Sequence, residues 1–210
     1  MINFSSLKPC YAPYSAALIS ILLLVFLVLM EATDLKQNLI DFYAIHTNEF
    51  WSRIDQHPLE LLRLFTAIFL HGNWLHWLTN VSAFVLLAFA IERVIGAQKF
   101  LLIFFTAGIA GNLSAALVMQ NQDHILLGAS GAVSGLIGLW LVLFPDKKIN
   151  FVIPIGLYLE KTSMPLWVII FFWLCFQLVL HFQPDIHYNI AWMSHLSGFT
   201  AGFLLAWFVK

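Results

Sequence analysis

The residues that could carry chemistry in this sequence are a serine and a histidine far apart in the chain. Ser130 lies in a Gly-Ala-Ser-Gly segment, and His195 lies close to the carboxyl end. A serine hydroxyl is a weak nucleophile by itself, and an imidazole within hydrogen-bond reach can accept its proton during attack. The pair therefore predicts acyl transfer, with Ser130 as the nucleophile and His195 as the general base.

Two further polar residues could stabilise the oxyanion that such an attack creates. His76 and Asn80 are four residues apart, so on a helix they share one face, and both side chains can donate hydrogen bonds. Backbone N–H groups around Ser130, at the start of a predicted helix, add further donors. No Asp or Glu lies within the predicted helices that carry these residues, which favours a Ser–His dyad over a triad. This chemistry requires neither a metal nor a cofactor.

The elements that must position these residues have the composition of membrane-spanning helices. Of the 210 residues, 61% are hydrophobic and only 10% are charged, whereas soluble domains carry about 25% charged residues. Six stretches of 22 to 28 residues contain no Asp, Glu, Lys or Arg, and about 20 apolar residues suffice to cross a bilayer as a helix. The net charge of -1 argues against a nucleic-acid partner.

We predict an all-α, polytopic membrane protein with a single membrane-embedded domain over residues 1–210. Its six helices are expected at residues 13–30, 73–91, 100–119, 129–144, 165–182 and 191–209. Aromatic pairs among charges in the first outer loop, residues 31–63, indicate short helices in the headgroup layer. The apolar segment 149–159 is short and contains Pro154, so we expect it to lie at the interface rather than to cross.

The distribution of positive charge predicts the orientation. With the amino terminus in the cytoplasm, the inner segments carry seven Lys and Arg residues, including Lys8 and Lys210, and the outer segments carry three. The positive-inside rule then places both termini in the cytoplasm. In this topology the helices that begin near His76, Ser130 and His195 all start on the outer side, which predicts one shared site close to the outer surface.

Glycine spacing predicts which helices pack together. The predicted helix at 129–144 carries a stripe of small residues, and so does the one at 191–209. The stripes include Gly128, Gly131 and Gly135 on the first helix, and Gly198 and Gly202 on the second. Small residues allow membrane helices to approach closely. Contact between the two stripes would bring Ser130 toward His195.

These patterns resemble those of the rhomboid intramembrane serine proteases. The resemblance rests on three motifs in order, His71-x4-His76-x3-Asn80, Gly128-Ala129-Ser130-Gly131 and His195-x2-Gly198-x3-Gly202. It covers roughly residues 63–202 and includes the six-helix topology. By resemblance, Ser130 is the nucleophile and His195 the general base, while His76 and Asn80 contribute to the oxyanion hole.

The resemblance also implies supporting residues. Arg63 matches a position that braces the first outer loop, and Glu92 matches one at the end of the second helix; for His71 we expect structural support of the neighbouring loop. Ser134 departs from the pattern, because some relatives carry an aromatic residue there that stacks on the catalytic histidine. The chain looks like the minimal six-helix form typical of prokaryotes, which implies a bacterial inner membrane.

Two alternatives remain open. His71, His76 and His195 could bind zinc or haem, although the His-Glu-x-x-His pattern is absent and Ser130 would then be unexplained. A catalytically inactive relative that binds transmembrane helices is the other alternative, and the presence of both Ser130 and His195 argues against it.

The sequence thus predicts a serine endopeptidase that cleaves other membrane proteins near the outer end of their transmembrane helices. Its expected partners are such substrates and the lipid bilayer. We expect the active site of the protein to open to the outer side of the membrane. Peptide bonds in a membrane helix are shielded by their own hydrogen bonds, so a substrate that unwinds easily is expected. The predicted fifth helix is rich in bulky aromatic residues, among them Phe171, Phe172 and Trp173. We expect it to pack loosely and to serve as a gate.

Overall fold

The structure is a computed structural model that describes residues 12–32, 34–155, 158–181 and 192–209. Helices occupy all six regions in which they were predicted, and the ends that can be compared differ by up to four residues. The predicted helix ends at Phe182 and Ala191 lie outside the described residues, as do Lys8 and Lys210.

The chain is mostly helical. In order, its helices are α1 (Tyr14–Ala32), α2 (Lys36–Tyr43), α3 (Phe50–Ile54), α4 (Arg63–Thr66), α5 (Trp74–Ile95), α6 (Ala97–Val118), α7 (Ser130–Leu143), α8 (Leu166–His181) and α9 (Trp192–Leu205). Short 3-10 turns occur at Pro58–Leu62, Ala67–Phe69 and Ala206–Phe208. The strands are β1 (Ile45–His46), β2 (Ile125–Leu126), β3 (Lys148–Ile155) and β4 (Tyr158–Pro165), paired as two antiparallel sheets, β1 with β2 and β3 with β4.

Helix length divides the bundle into two groups. Among the described residues, α1, α5 and α6 are long and apolar enough to cross a membrane. Helices α7 and α9 have 14 residues each, which is roughly 21 Å at a rise of about 1.5 Å per residue. That length is shorter than a hydrocarbon core of about 30 Å. The short helices therefore depend on the surrounding protein.

Helix α7 lies at the centre of the bundle and packs most extensively against α9 and α6. Most of its side chains are buried, and they form one core with aromatic residues of α5 and α6, including Phe84, Phe100 and Phe104. Glycines let the three backbones approach. A Cβ atom at Gly111 on α6 would lie 2.7 Å from the Ser194 carbonyl oxygen of α9. A central helix enclosed in this way does not need to match the thickness of the lipid.

Helix α1 is attached to α5 by a buried carboxylate. Glu92, near the end of α5, accepts hydrogen bonds from the backbone N–H groups of Ser15 at 3.1 Å and Ala16 at 2.7 Å. These N–H groups belong to the first turn of α1 and have no acceptor within the helix. The negative charge also lies at the positive end of the helix dipole. Glu92, near the end of α5, therefore supplies hydrogen-bond acceptors to the backbone N–H groups at the start of α1.

The segment between α1 and α5, which was predicted to be an outer loop, contains short helices. Helices α2 and α3 flank strand β1, and two 3-10 turns follow with α4 between them. Arg63 donates from Nη1 to the carbonyl oxygens of Asp41 at 2.6 Å and Ala44 at 2.7 Å. It also pairs through Nε with Glu60 at 2.5 Å. One buried guanidinium thus ties the end of α2 to the start of α4.

The segment after α7 forms a β-hairpin that the sequence did not predict. Strands β3 and β4 pair from Lys148 opposite Pro165 to Ile155 opposite Tyr158. The expectation of an entirely helical chain is wrong for this segment. Pro154 is compatible with the hairpin because both strands are edge strands, where a missing N–H can face away from the partner.

Candidate active site

Ser130 is the first residue of α7 and is held by a tight turn. The preceding Gly128 has φ +126°, a conformation that L side chains rarely adopt, and Ala129 between them is buried. Ala129 occupies the N-cap position of α7 without a side-chain hydrogen bond to the helix. The backbone N–H groups at the start of α7 are therefore not occupied by a capping side chain. Ser130 itself is half-buried.

Residues between α1 and α5 support the segment that leads into this turn. Strand β2 pairs with β1, and the hydroxyl of Thr47 donates to the carbonyl of Gln122 at 2.5 Å. Closer to the serine, the N–H of Gly128 donates to the carbonyl of Ala67 at 2.8 Å. The position of Ser130 thus depends on residues more than 60 positions earlier in the chain.

His76 lies against the turn at Gly128. A Cβ atom at Gly128 would lie 2.8 Å from Cε1 and 2.9 Å from Nε2 of the imidazole. His76 is in the first turn of α5, where its backbone N–H donates to Oδ1 of Asn73 at 2.8 Å. Two separate features therefore require glycine at position 128: the positive φ of the backbone and the close approach of the His76 ring. This contact brings the first and second motifs together.

Asn80 lies one turn further along α5 and is buried. Its Nδ2 donates to the carbonyl of His76 at 2.8 Å. An amide group has two N–H donors. This bond uses one of them and fixes the side chain, and the second N–H can donate to another acceptor. The orientation of Asn80 is therefore coupled to the backbone of His76.

Helices α7 and α9 meet next to Ser130. A Cβ atom at Gly131 would lie 2.7 Å from Oγ of Ser194, and one at Gly198 would overlap the carbonyl of Gly131. One turn further, a Cβ at Gly202 would overlap the carbonyl of Gly135. Because Gly131 follows Ser130 and Ser194 precedes His195, the turns that carry these two residues are neighbours.

His195 is half-buried and is surrounded by aromatic rings. The ring of Trp173 on α8 stacks on its imidazole with centroids 6.4 Å apart and an interplanar angle of 27°. Trp192, three residues earlier on α9, presents its ring at 5.8 Å and 86°. Neither tryptophan was predicted as a site residue.

The sequence could have indicated one of the two tryptophan contacts but not the other. Trp192 could have been found, because residues three apart on a helix share a face. Trp173 could not, since its contact joins two helices and has no fixed spacing. Ser134, at the position where an aromatic residue was noted as missing, donates its hydroxyl to the carbonyl of Ser130 at 2.7 Å.

His71 lies beside the site rather than in it. Its side chain is fully buried, and its ring packs against that of His76 with centroids 5.1 Å apart. Burial, with a smaller contribution from His76, lowers the pKa of His71 to about 3. The imidazole is therefore neutral at physiological pH and supports His76 by packing.

Three of the remaining predicted residues lie outside this cluster. Arg63 and Glu92 form the structural contacts described above, and Gly135 lies one turn below Ser130. Within the described part of the chain, no three His, Cys, Asp or Glu residues form a group that could hold a metal ion. The turn that carries Ser130 therefore lies between the ring of His76, next to Gly128, and Ser194, next to Gly131.

The family model for the Rhomboid domain matches residues 58–210, which include α4 to α9 and every motif residue of the site. The chain belongs to the rhomboid family. Together with the long apolar helices, this membership makes it an integral membrane protein.

Individual rhomboid relatives come from bacteria and plants. The chain is 36% identical over 149 residues to YdcA of Bacillus subtilis, a protein whose name assigns it provisionally to the rhomboid proteases. It is 33% identical over 149 residues to RHOMBOID-like protein 1 of Arabidopsis thaliana and 31% identical over 147 residues to the rhomboid protease GluP of Bacillus subtilis. These alignments include 70% to 71% of this chain but 66%, 34% and 26% of the respective relatives. The chain thus spans less than two thirds of the length of each of these relatives.

Proposed function

We propose that this rhomboid family member is an intramembrane serine endopeptidase that uses Ser130 and His195 as a dyad. The observation that carries the proposal is the convergence at the turn before α7. Gly128 contacts the imidazole of His76, and Gly131 contacts Ser194, the neighbour of His195. Three motifs far apart in sequence thus surround one serine.

In the proposed reaction, Oγ of Ser130 attacks the carbonyl carbon of the scissile peptide bond while His195 accepts the hydroxyl proton. The tetrahedral intermediate collapses as His195 returns this proton to the leaving amine. Water, deprotonated by His195, then attacks the acyl ester, and His195 returns this proton to Oγ of Ser130 as the C–Oγ bond breaks and the new carboxyl end leaves. Atoms and charges balance without a metal or a redox cofactor.

The oxyanion of the intermediate requires donors that are already in position. We assign this role to the uncapped N–H groups at the start of α7, to the ring of His76 and to the second amide N–H of Asn80. Helices α7 and α9 contain no Asp or Glu. The dyad is therefore proposed to work without a carboxylate on either helix.

The proposed substrate is the transmembrane helix of another protein, cut near the outer face of the membrane. Helix α8 offers a route of entry, because Ile170 is the one buried side chain among those described on this helix. We propose that the short helices α7, α8 and α9 cross the bilayer as well as α1, α5 and α6, with both termini in the cytoplasm and the site opening outward. A reporter fused to the carboxyl end tests this topology and should be active only in the cytoplasm.

Labelling with a fluorophosphonate tests the activated serine without a known substrate. Detergent-solubilised wild-type protein should be labelled, and Ser130→Ala and His195→Ala should not. Ser82→Ala and His57→Ala, at exposed positions on α5 and in the first outer loop, are matched controls that should label normally. A folded wild-type protein that fails to label would refute the protease and favour a helix-binding, inactive rhomboid.

A further inference from the structure

Helix α8 contacts the proposed catalytic histidine through the ring of Trp173. Most aromatic rings of α8 face outward, with Phe171, Phe172 and Phe176 exposed by 55%, 64% and 58%. Trp173 is the exception. It is half-buried and contacts both His195 and Phe199, which lie one turn apart on the same face of α9.

A ring stacked on the His195 imidazole bears on the orientation of the proposed general base. A side chain rotates about two bonds, and a general base must point at the hydroxyl it deprotonates.

The two tryptophans restrain the ring differently. Trp192 is on the same helix as His195 and meets the ring at 86°, so it limits rotation from one side. Trp173 covers the ring nearly in parallel, at 27°, from a different helix. Offset stacking at such distances is a favourable geometry for aromatic rings. The contact from α8 is therefore the one that can change when α8 moves.

We propose that Trp173 is a positioning residue that holds the His195 imidazole in line with Ser130, so that the position of α8 sets the alignment of the dyad. This inference rests on the proposed function. It implies that a substrate helix entering beside α8 disturbs the dyad until α8 has returned. The same helix then controls both access and chemistry.

The test compares two replacements of similar size. Trp173→Phe keeps an aromatic face over the imidazole, whereas Trp173→Met fills the space without one. Phe172→Met is the matched control, because it makes the same change at the exposed neighbouring position. The rate of fluorophosphonate labelling is measured for each variant, with Ser130→Ala as the blank. A small probe reaches Ser130 without the entry of a substrate helix, so this rate reports alignment.

We expect Trp173→Met to label about 5- to 10-fold more slowly, on the scale of one aromatic pair, with Trp173→Phe within about twofold of wild type. In cleavage of a transmembrane substrate, the loss should appear in kcat and not in KM. A Trp173→Met variant that labels at the wild-type rate would overturn the proposal. If cleavage of the membrane substrate rises at the same time, Trp173 serves only as part of a gate.

A measurement on the unmodified protein keeps the test decisive if a variant does not fold. Histidine labelled with 13C at Cε1 gives a signal for His195 that is identified by its loss in His195→Ala. A nuclear Overhauser effect from this proton to the indole of Trp173, distinguished from one to Trp192 by its loss in Trp173→Phe, supports the contact, and its absence in folded wild type refutes it. If wild type is not labelled by the probe at all, the proposed function fails; equal labelling of wild type and Trp173→Met refutes the positioning role alone.

Discussion

The carbonyl group of Gly131 on α7 lies directly against the backbone of Gly198 on α9, and a methyl group at Gly198 would overlap it. The contact joins backbone to backbone, so no flexible side chain can move aside. It also lies beside Ser130 and one turn after His195. The separation of α7 from α9 and the geometry of the proposed dyad are therefore set by the same pair.

Gly198→Ala should force the two helices apart. We expect a loss of about 1–3 kcal/mol in the free energy of unfolding, as for other overpacked sites, together with loss of fluorophosphonate labelling. Thermal unfolding in detergent measures the first effect. Gly72→Ala is the control, because its Cβ would lie 3.8 Å from Cδ1 of Leu127, an ordinary contact. Equal stability of the two variants would contradict this packing.

Gly128→Ala separates backbone strain from displacement of His76. The change places a Cβ at φ +126° and within 2.9 Å of two atoms of the imidazole. Gly96→Ala imposes a similar strain at φ +82° but meets no atom within 4 Å. Both variants should lose about 1–3 kcal/mol of stability, and only Gly128→Ala should lose labelling of Ser130. If Gly96→Ala loses labelling equally, strain alone accounts for the effect.

The sequence predicted those parts of the fold that depend on the surrounding lipid. Stretches without charge located the six helices, because charged side chains are costly in lipid. Glycine spacing identified a surface of α7 that does meet α9. Both signals are local in the chain. One reflects the cost of placing a charge in lipid, and the other reflects the close approach of helices that small residues permit.

The parts that did not follow depend on pairing between distant residues. The hairpin of β3 and β4 was missed because segment 149–159 was judged by its length and apolar content, whereas the hairpin depends on pairing with residues up to Pro165. Trp173 was assigned to loose packing from its neighbours, and its contact with His195 depends on the angle between two helices. The buried bonds of Arg63 to two carbonyls likewise follow from the path of the loop. Spacing along one element cannot supply such contacts.

Glu92→Gln should loosen α1 without changing the site. The carboxylate accepts two N–H groups from the first turn of α1, at 3.1 and 2.7 Å, whereas an amide offers one acceptor and turns an N–H donor toward the other group. A buried, unsatisfied donor costs about 1–3 kcal/mol. Thermal unfolding should report this loss, while labelling per folded molecule stays unchanged.

Glu49→Gln is the matched control for Glu92→Gln. Glu49 forms an exposed ion pair with Arg53 at 3.4 Å, and such pairs contribute about 0–1 kcal/mol. Its replacement should shift the midpoint of unfolding little. A Glu92→Gln variant as stable as Glu49→Gln would show that α1 does not depend on the buried carboxylate.

Asn80→Ala tests whether the amide serves the oxyanion. Removal of one such donor costs about 100- to 1,000-fold in kcat at well-studied sites, and we expect a loss of about 10- to 1,000-fold because the backbone N–H groups of α7 remain. The measurement is kcat for cleavage of a transmembrane substrate. Thr79→Ala is the control, since Thr79 donates to the same His76 carbonyl at 3.0 Å but is exposed. If both variants lose activity equally, Asn80 acts by holding α5; if neither does, the N–H groups of α7 and the ring of His76 stabilise the oxyanion without it.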